Sequence, residues 1–178
     1  MSQLKVNSIV PSGGLPAGAS GGGIIQCVQT IKSDDSSVTG STFADSGLSV
    51  TITPQSSSNK ILIIADMNIG SSNAYDSKLR LVRDSTDIYL GDADGTRPRA
   101  TRVVTTHPPS SYGVYHNVPA QIVFLDSPAT TSSVTYKIQM ASYSTQIVYL
   151  NRSHQNQELS GEYDGKPSSS IMVMEVSG

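Results

Sequence analysis

Apolar positions in this chain recur in short alternating runs, not in stripes of helical period. From Gly23 onward, segments rich in Val, Ile, Thr and Tyr are punctuated by Gly, Pro, Ser, Asn and Asp, as strands are by turns. The pattern predicts strands near residues 24–32, 48–53, 60–70, 78–83, 86–90, 112–125, 133–143, 146–150 and 170–176. Arg83-Asp-Ser-Thr86 reads as a tight hairpin between two of these, and Asp126-Ser-Pro-Ala129 as a break between two others. No window carries a 3.6-residue apolar stripe, so almost no helix is expected. Many short strands with regularly spaced turns imply a sandwich or barrel.

Two strands carry more information. In Ile61-Leu-Ile-Ile-Ala-Asp-Met-Asn-Ile69 one parity (Ile61, Ile63, Ala65, Met67, Ile69) is wholly apolar, while the other begins apolar at Leu62 and Ile64 and turns polar at Asp66 and Asn68. In Ile171-Met-Val-Met-Glu-Val176 both parities are largely apolar. A sandwich strand with one wet face should be polar on that face. Ile171, Met172, Val173 and Met174 are therefore expected in the core or at an interface between subunits. Symmetric closure of such contacts makes a ring, for which a trimer is one solution. A well-covered central strand within one subunit is the plainer alternative.

Residues 1–23 form a different unit. Leu4, Val6, Ile9 and Val10 lie in a short strand-prone stretch, and Pro11 to Gly23 is a Gly/Pro-rich linker that cannot build a core. This reads as an N-terminal anchor joined to one domain over residues 24–178. The chain has 178 residues, a net charge of −2 and only 15% charged residues, below the ~25% usual in globular domains. That balance gives no electrostatic footprint for nucleic acid. The single cysteine, Cys27, excludes an intrachain disulfide; its apolar neighbours predict a buried thiol. No secretion signal and no run of ~18 apolar residues is visible. The expectation is a protein made in a cytoplasm and not exported by the usual route, a pattern that fits a virion part released by lysis, without membrane insertion.

Three stretches resemble small structural proteins of marine tailed bacteriophages. They are Leu4-Lys-Val-Asn-Ser-Ile-Val10 with the linker and Gly23-Ile-Ile-Gln26; Leu79-Arg-Leu-Val-Arg-Asp-Ser-Thr-Asp-Ile88 with Gly91-Asp-Ala-Asp-Gly95; and Tyr149-Leu-Asn-Arg-Ser153 with Ser168-Ser-Ser-Ile-Met-Val-Met-Glu-Val176. The resemblance implies a homotrimeric head, similar to the tumour-necrosis-factor-like jelly roll, carried on an N-terminal attachment segment. The fold expected is thus an all-β, jelly-roll-like antiparallel sandwich.

Catalytic signatures are missing from the sequence. His107, His116 and His154 have no metal-ligand spacing. There is no Gly-x-Ser-x-Gly elbow, and Gly21-Gly-Gly23 leads into a strand, not the helix N-terminus that binds phosphate. Asp92-Ala-Asp-Gly95 echoes the start of a calcium loop but lacks its closing Glu, and reads as an ordinary acidic turn. Glu158 and Glu162 have the composition of a glycosidase pair but lie in a polar loop with nothing to tune them. Neither an enzyme, a metal nor a cofactor is expected.

Two long irregular stretches carry interface-forming side chains. One holds Arg97, Arg99, Arg102, His107, Tyr112, Tyr115 and His116; the other holds Arg152, His154 and Tyr163. They are the candidate receptor- or partner-binding loops, with a host-surface glycan or neighbouring virion proteins as partners. The function expected is a short trimeric tail or head fibre that contributes to host attachment. Capsid decoration is the alternative, and a glycan-cleaving enzyme stands a distant third.

Overall fold

The computed structural model describes residues 23–72, 76–105, 115–156 and 164–177. Among them are eleven strands and no α-helix. The strands are β1 (Ile24–Lys32), β2 (Ser36–Thr39), β3 (Ala44–Ile52), β4 (Lys60–Ser71), β5 (Ser77–Arg83), β6 (Thr86–Ile88), β7 (Arg102–Val104), β8 (Val118–Asp126), β9 (Val134–Ala141), β10 (Ile147–Leu150) and β11 (Ser169–Val176). Two antiparallel sheets pack face to face. In the first, β11 and β10 pair end to end along one side of β4, β1 and β2 line up outside them, and β8 pairs with the other side of β4. In the second, the order is β3, β9, β5, with β6 and β7 end to end along the free side of β5.

The alternation within β4 decides the core. Ile61, Ile63, Ala65, Met67 and Ile69 are fully buried, as are Ile171 and Val173 beside them on β11. They meet Leu48, Leu79, Leu81, Tyr136, Ile138 and Met140 from the opposite sheet. The Asp84-Ser85 hairpin forms where expected, with Asp84 at φ 54° and Arg83 paired to Thr86. The strand predicted over 112–125 forms only as β8; residues 115–117 are not strand, and 112–114 lie outside the described residues. β2 and β7, of four and three residues, are too short for their periodicity to be read. β3 begins earlier than predicted because a bulge between Asp45 and Ser49 accommodates its polar start. There Gly47 turns at φ 80° and Ser46 bridges its own strand to the Ile138 carbonyl at 2.8 Å.

One expectation is overturned. Cys27 is exposed, not buried. β1 is an edge strand whose inward parity is Gln26, Val28 and Thr30, so its more apolar parity, Ile25, Cys27 and Ile31, points away from the core. The N-terminal residues Leu4, Val6, Ile9 and Val10 lie outside the described residues.

Candidate functional site

The outer faces of the two sheets differ in chemistry. On the β3–β9–β5–β6 sheet the outer rows are mostly polar, with Val82, Val103 and Ala141 as apolar members, and many of the polar groups pair with one another. Thr51 and Thr135 hydroxyls meet at 2.9 Å, Lys137 and Gln139 both donate to Asp45, and Arg80 binds Asp87 at 2.8 Å while lying 3.8 Å over the Phe43 ring. The hydrogen bond from Lys137, then that from Gln139, holds the Asp45 carboxyl below the usual range. Such pairs mark a water-facing surface and add little stability.

The outer face of the other sheet is apolar. Strand register places Cys27, Met174, Leu62 and Leu125 in one row, and Gln29, Met172, Ile64 and Val123 in the next. Seven of these eight side chains are apolar or thiol, and none is charged. Val123 is 49% and Leu125 47% exposed on the β8 edge, and on the opposite edge strand, β1, Ile31 is 66% exposed next to Gln29. The next row, Ile31, Ser170, Asp66 and Gln121, closes the patch with polar groups.

Higher on this face the chain covers itself. Gly70 lies directly beneath the Arg152 carbonyl, so closely that a Cβ would collide with it. Asn151, at φ 62°, donates to the carbonyls of Lys32 (2.7 Å) and Asp34 (2.9 Å) and accepts from Ser169 at 2.5 Å. The Arg152 guanidinium sits 4.3 Å over the Tyr149 ring and 3.6 Å from Asp35, and the Tyr149 hydroxyl meets His154 Nδ1 at 3.1 Å. Arg152 and His154, expected as ligand-binding groups, are thus engaged in holding a loop over the sheet. Ser153 is fully buried and donates to Asp164 at 2.8 Å, a loop tie and not an activated nucleophile. One end of the face is covered and the other is bare.

The sandwich also has two distinct ends. At one, β1 begins, β11 finishes with Ser177 N–H donating to Gly23 O (3.1 Å), and the Asp84-Ser85 turn closes β5. Two buried carboxylates close this end. Glu175 accepts from Gln26 Nε2 (2.5 Å), Gln55 N–H (2.7 Å) and Asn59 Nδ2 (2.6 Å). Burial opposes its ionisation, but the donors from Asn59, Gln26 and the 55–56 backbone outweigh that, so its pKa lies below the ordinary value. Asp126 accepts twice from Arg83, at 3.0 and 2.8 Å, and from the Tyr136 hydroxyl at 2.7 Å. Burial, then that hydrogen bond, pushes the Tyr136 pKa up. At the opposite end β4 finishes, β5 starts, β7 finishes and β8 starts. Half-buried Tyr115 and exposed His116 belong here; His107, Tyr112, Tyr163, Glu158 and Glu162 lie outside the described residues.

The flank between β8 and the β6/β7 edge is open. A hollow of about 540 Å³ separates residues 102–105 from 118–121, and a second of about 190 Å³ lies between Tyr89, Thr101 and Arg102 on one side and residues 121–123 on the other. Arg102 stands between them, its Nε (3.1 Å) and Nη2 (2.7 Å) donating to the Gln121 carbonyl. Tyr89, at φ 55°, stacks on Phe124 with ring centroids 4.7 Å apart. Arg97 pairs with Asp94 at 3.1 Å and Arg99 donates to the Gly91 carbonyl at 2.7 Å, so of the three arginines expected to act together only Arg102 lines the cleft. Nothing local separates Tyr89 from the chain's other tyrosines in sequence; its partner Phe124 is 35 positions away. Among the described residues no cluster of three His, Cys, Asp or Glu side chains is placed to hold a metal ion. No protein-family model matches the chain, and no curated protein sequence is similar to it.

Proposed function

We propose that this chain is a non-catalytic virion protein of a tailed bacteriophage, the subunit of a short homotrimeric tail or head fibre that contributes to host-surface attachment. The bare apolar face across β1, β11, β4 and β8 carries the reading. A subunit that leaves a contiguous, uncharged apolar patch on one sheet, while the other sheet's outer face is mostly polar, is built to have that patch covered. A three-fold ring hides three such faces about one axis without leaving an open end. The strand order, with β1/β2, β11/β10, β4 and β8 over β3, β9, β5 and β6/β7, supports the jelly-roll form of that head. The two ends support a fibre: β1 begins at one end, and the sequence before it, with Leu4, Val6, Ile9 and Val10, is the proposed virion anchor. The loops around Tyr115 and His116 face the other. Three weak sites on each trimer, and several trimers on each particle, raise avidity without one strong contact.

Light scattering on the full chain tests the oligomer, with a mass near three times 18.8 kDa expected. Cys27 supplies an independent readout, because its thiol lies within the apolar face. In the trimer it should react slowly with an aromatic disulfide reagent; in Met172→Glu, which places a charge in that face, the mass should fall to one subunit and the thiol react at the free rate. A wild-type monomer with a freely reacting Cys27 refutes the reading. Copy number in purified particles separates a fibre, present in small multiples of three, from a shell decoration that follows the capsid lattice.

A further inference from the structure

We infer that the cleft beside Tyr89 and Arg102 is a subsite for an acidic sugar residue, a uronate or similar carboxylate-bearing pyranose of a surface polysaccharide. The inference rests on the attachment reading above and supplies the ligand class and place that it leaves open.

Three observations converge on the flank between β6/β7 and β8. The first is an unneutralised cation. Two of the five guanidinium N–H groups of Arg102 are directed at the Gln121 carbonyl, which fixes the plane of the group. The remaining Nη1 and Nη2 protons have no partner, and no carboxylate lies within ion-pair distance, among the described residues. Of the other arginines of the 80–102 segment, Arg80 and Arg97 are paired with Asp87 and Asp94, and Arg99 donates to the Gly91 carbonyl away from this cleft's lining. A planar fork held still by a carbonyl of the facing strand β8 is suited to a carboxylate.

The second is an aromatic plane. Tyr89 uses one ring face against Phe124, with the rings 12° from parallel, and remains 51% exposed. It is held there by a left-handed backbone that a tyrosine rarely adopts. A rigid amphipathic ring at the rim of a polar cleft suits the C–H face of a pyranose, whose hydroxyls point outward.

The third is a row of free backbone groups. Because the Gln121 carbonyl points away from β4, the alternation of an antiparallel strand turns the N–H and C=O of Val123 outward as well. The Asn68 N–H, directed to Ser169 on the far side of β4, is consistent with that phase. The Thr101 hydroxyl contributes nothing, since it is taken by Leu81 N–H and the Ile88 carbonyl. The hollow of about 190 Å³ takes one sugar, and the hollow of about 540 Å³ across Arg102 gives the adjoining residue of a polymer room to follow.

One ring contact and one charged fork make a weak site, with Kd about millimolar for a single sugar, and polymer affinity comes from repetition. The test is titration of isotopically labelled full-length protein with an oligogalacturonate, using a neutral malto-oligosaccharide as control. Shifts are expected at the Tyr89 ring, the Arg102 Nε and the Val123 amide with the uronate, weakening as salt is raised. Tyr89→Asn, whose side chain tolerates the left-handed backbone, and Arg102→Gln should each weaken binding at least about tenfold. Arg102→Lys should keep part of it. Melting temperatures verify that the variants fold. An unresponsive flank, equal shifts with the neutral sugar, or unchanged binding in both variants overturns the proposal, as does a flank that responds to an extended peptide along β8 instead. A trimer that does not bind sinks the subsite alone; a monomer that binds the uronate sinks the oligomer reading alone.

Discussion

Replacing Glu175 by Leu removes an acceptor on which donors from Gln26, Asn59 and the 55–56 backbone converge. The carboxylate is fully buried at the end of β11, with Gln26, Gln55 and Asn59 pointing at it. Leucine fills a similar volume but leaves the Gln55 N–H and the Asn59 amide without their acceptor. Each hydrogen bond lost to the buried carboxylate costs about 1.5–3 kcal/mol, and the added apolar burial returns about 1, so a net loss of about 3 kcal/mol is expected. In a chain of this size that lowers the melting temperature by about 6–12 °C. Glu175→Gln keeps the shape and one acceptor oxygen, and the Gln26 amide keeps its Thr53 carbonyl partner, so its cost should be nearer 1 kcal/mol. The pH dependence separates charge from shape. The folded pKa of Glu175 lies below the ordinary value of 4.5, so its contribution is complete above about pH 4.5 and is lost as pH falls through the lower folded value. Chemical denaturation at fixed protein concentration, at pH 7 and again near pH 3, measures both effects. The gap between wild type and Glu175→Gln should narrow on acidification. If Glu175→Leu lies within about 0.5 kcal/mol of wild type at pH 7, or the gap to Glu175→Gln stays constant with pH, the carboxylate does not hold this end together.

Two further substitutions probe the other ties of the fold. Gly70→Ala forces a methyl group against the Arg152 carbonyl, and should cost about 3 kcal/mol or lift the 151–156 segment from the sheet; a denaturation midpoint indistinguishable from wild type would count against that packing. Asp126→Ala leaves the buried Tyr136 hydroxyl and Arg83 unpaired and should cost about 3–5 kcal/mol, whereas Tyr136→Phe, which keeps the Arg83–Asp126 pair, should cost about 1. Equal effects of the two would mean that the pair adds nothing beyond the hydroxyl contact.

The sequence by itself determined the class of fold and much of its interior. Alternation is a local property of a strand, so the buried parity of 61–69, the burial of Ile171 and Val173, and the Asp84-Ser85 hairpin follow from residues within a few positions of each other. The doubly apolar pattern of Leu62, Ile64, Met172 and Met174 announced a second apolar surface in the same way. What local pattern does not contain is which neighbour lies on each side of a strand, and only the tertiary structure decided that. Cys27 sits in an apolar run but on an edge strand whose inward face is Gln26, Val28 and Thr30, so it points outward. Glu175 sits in an apolar strand yet turns inward, because donors from β1 and the 55–59 loop meet it there. Arg152 and His154 look like free recognition groups until the β10–β11 connection folds back over Gly70 and ties them to Tyr149. Tyr89, Arg102 and Phe124, scattered among unremarkable neighbours, become one cleft only where the edges of two sheets face each other. Periodicity specifies what a strand can bury; chain crossings far apart in sequence specify what covers it.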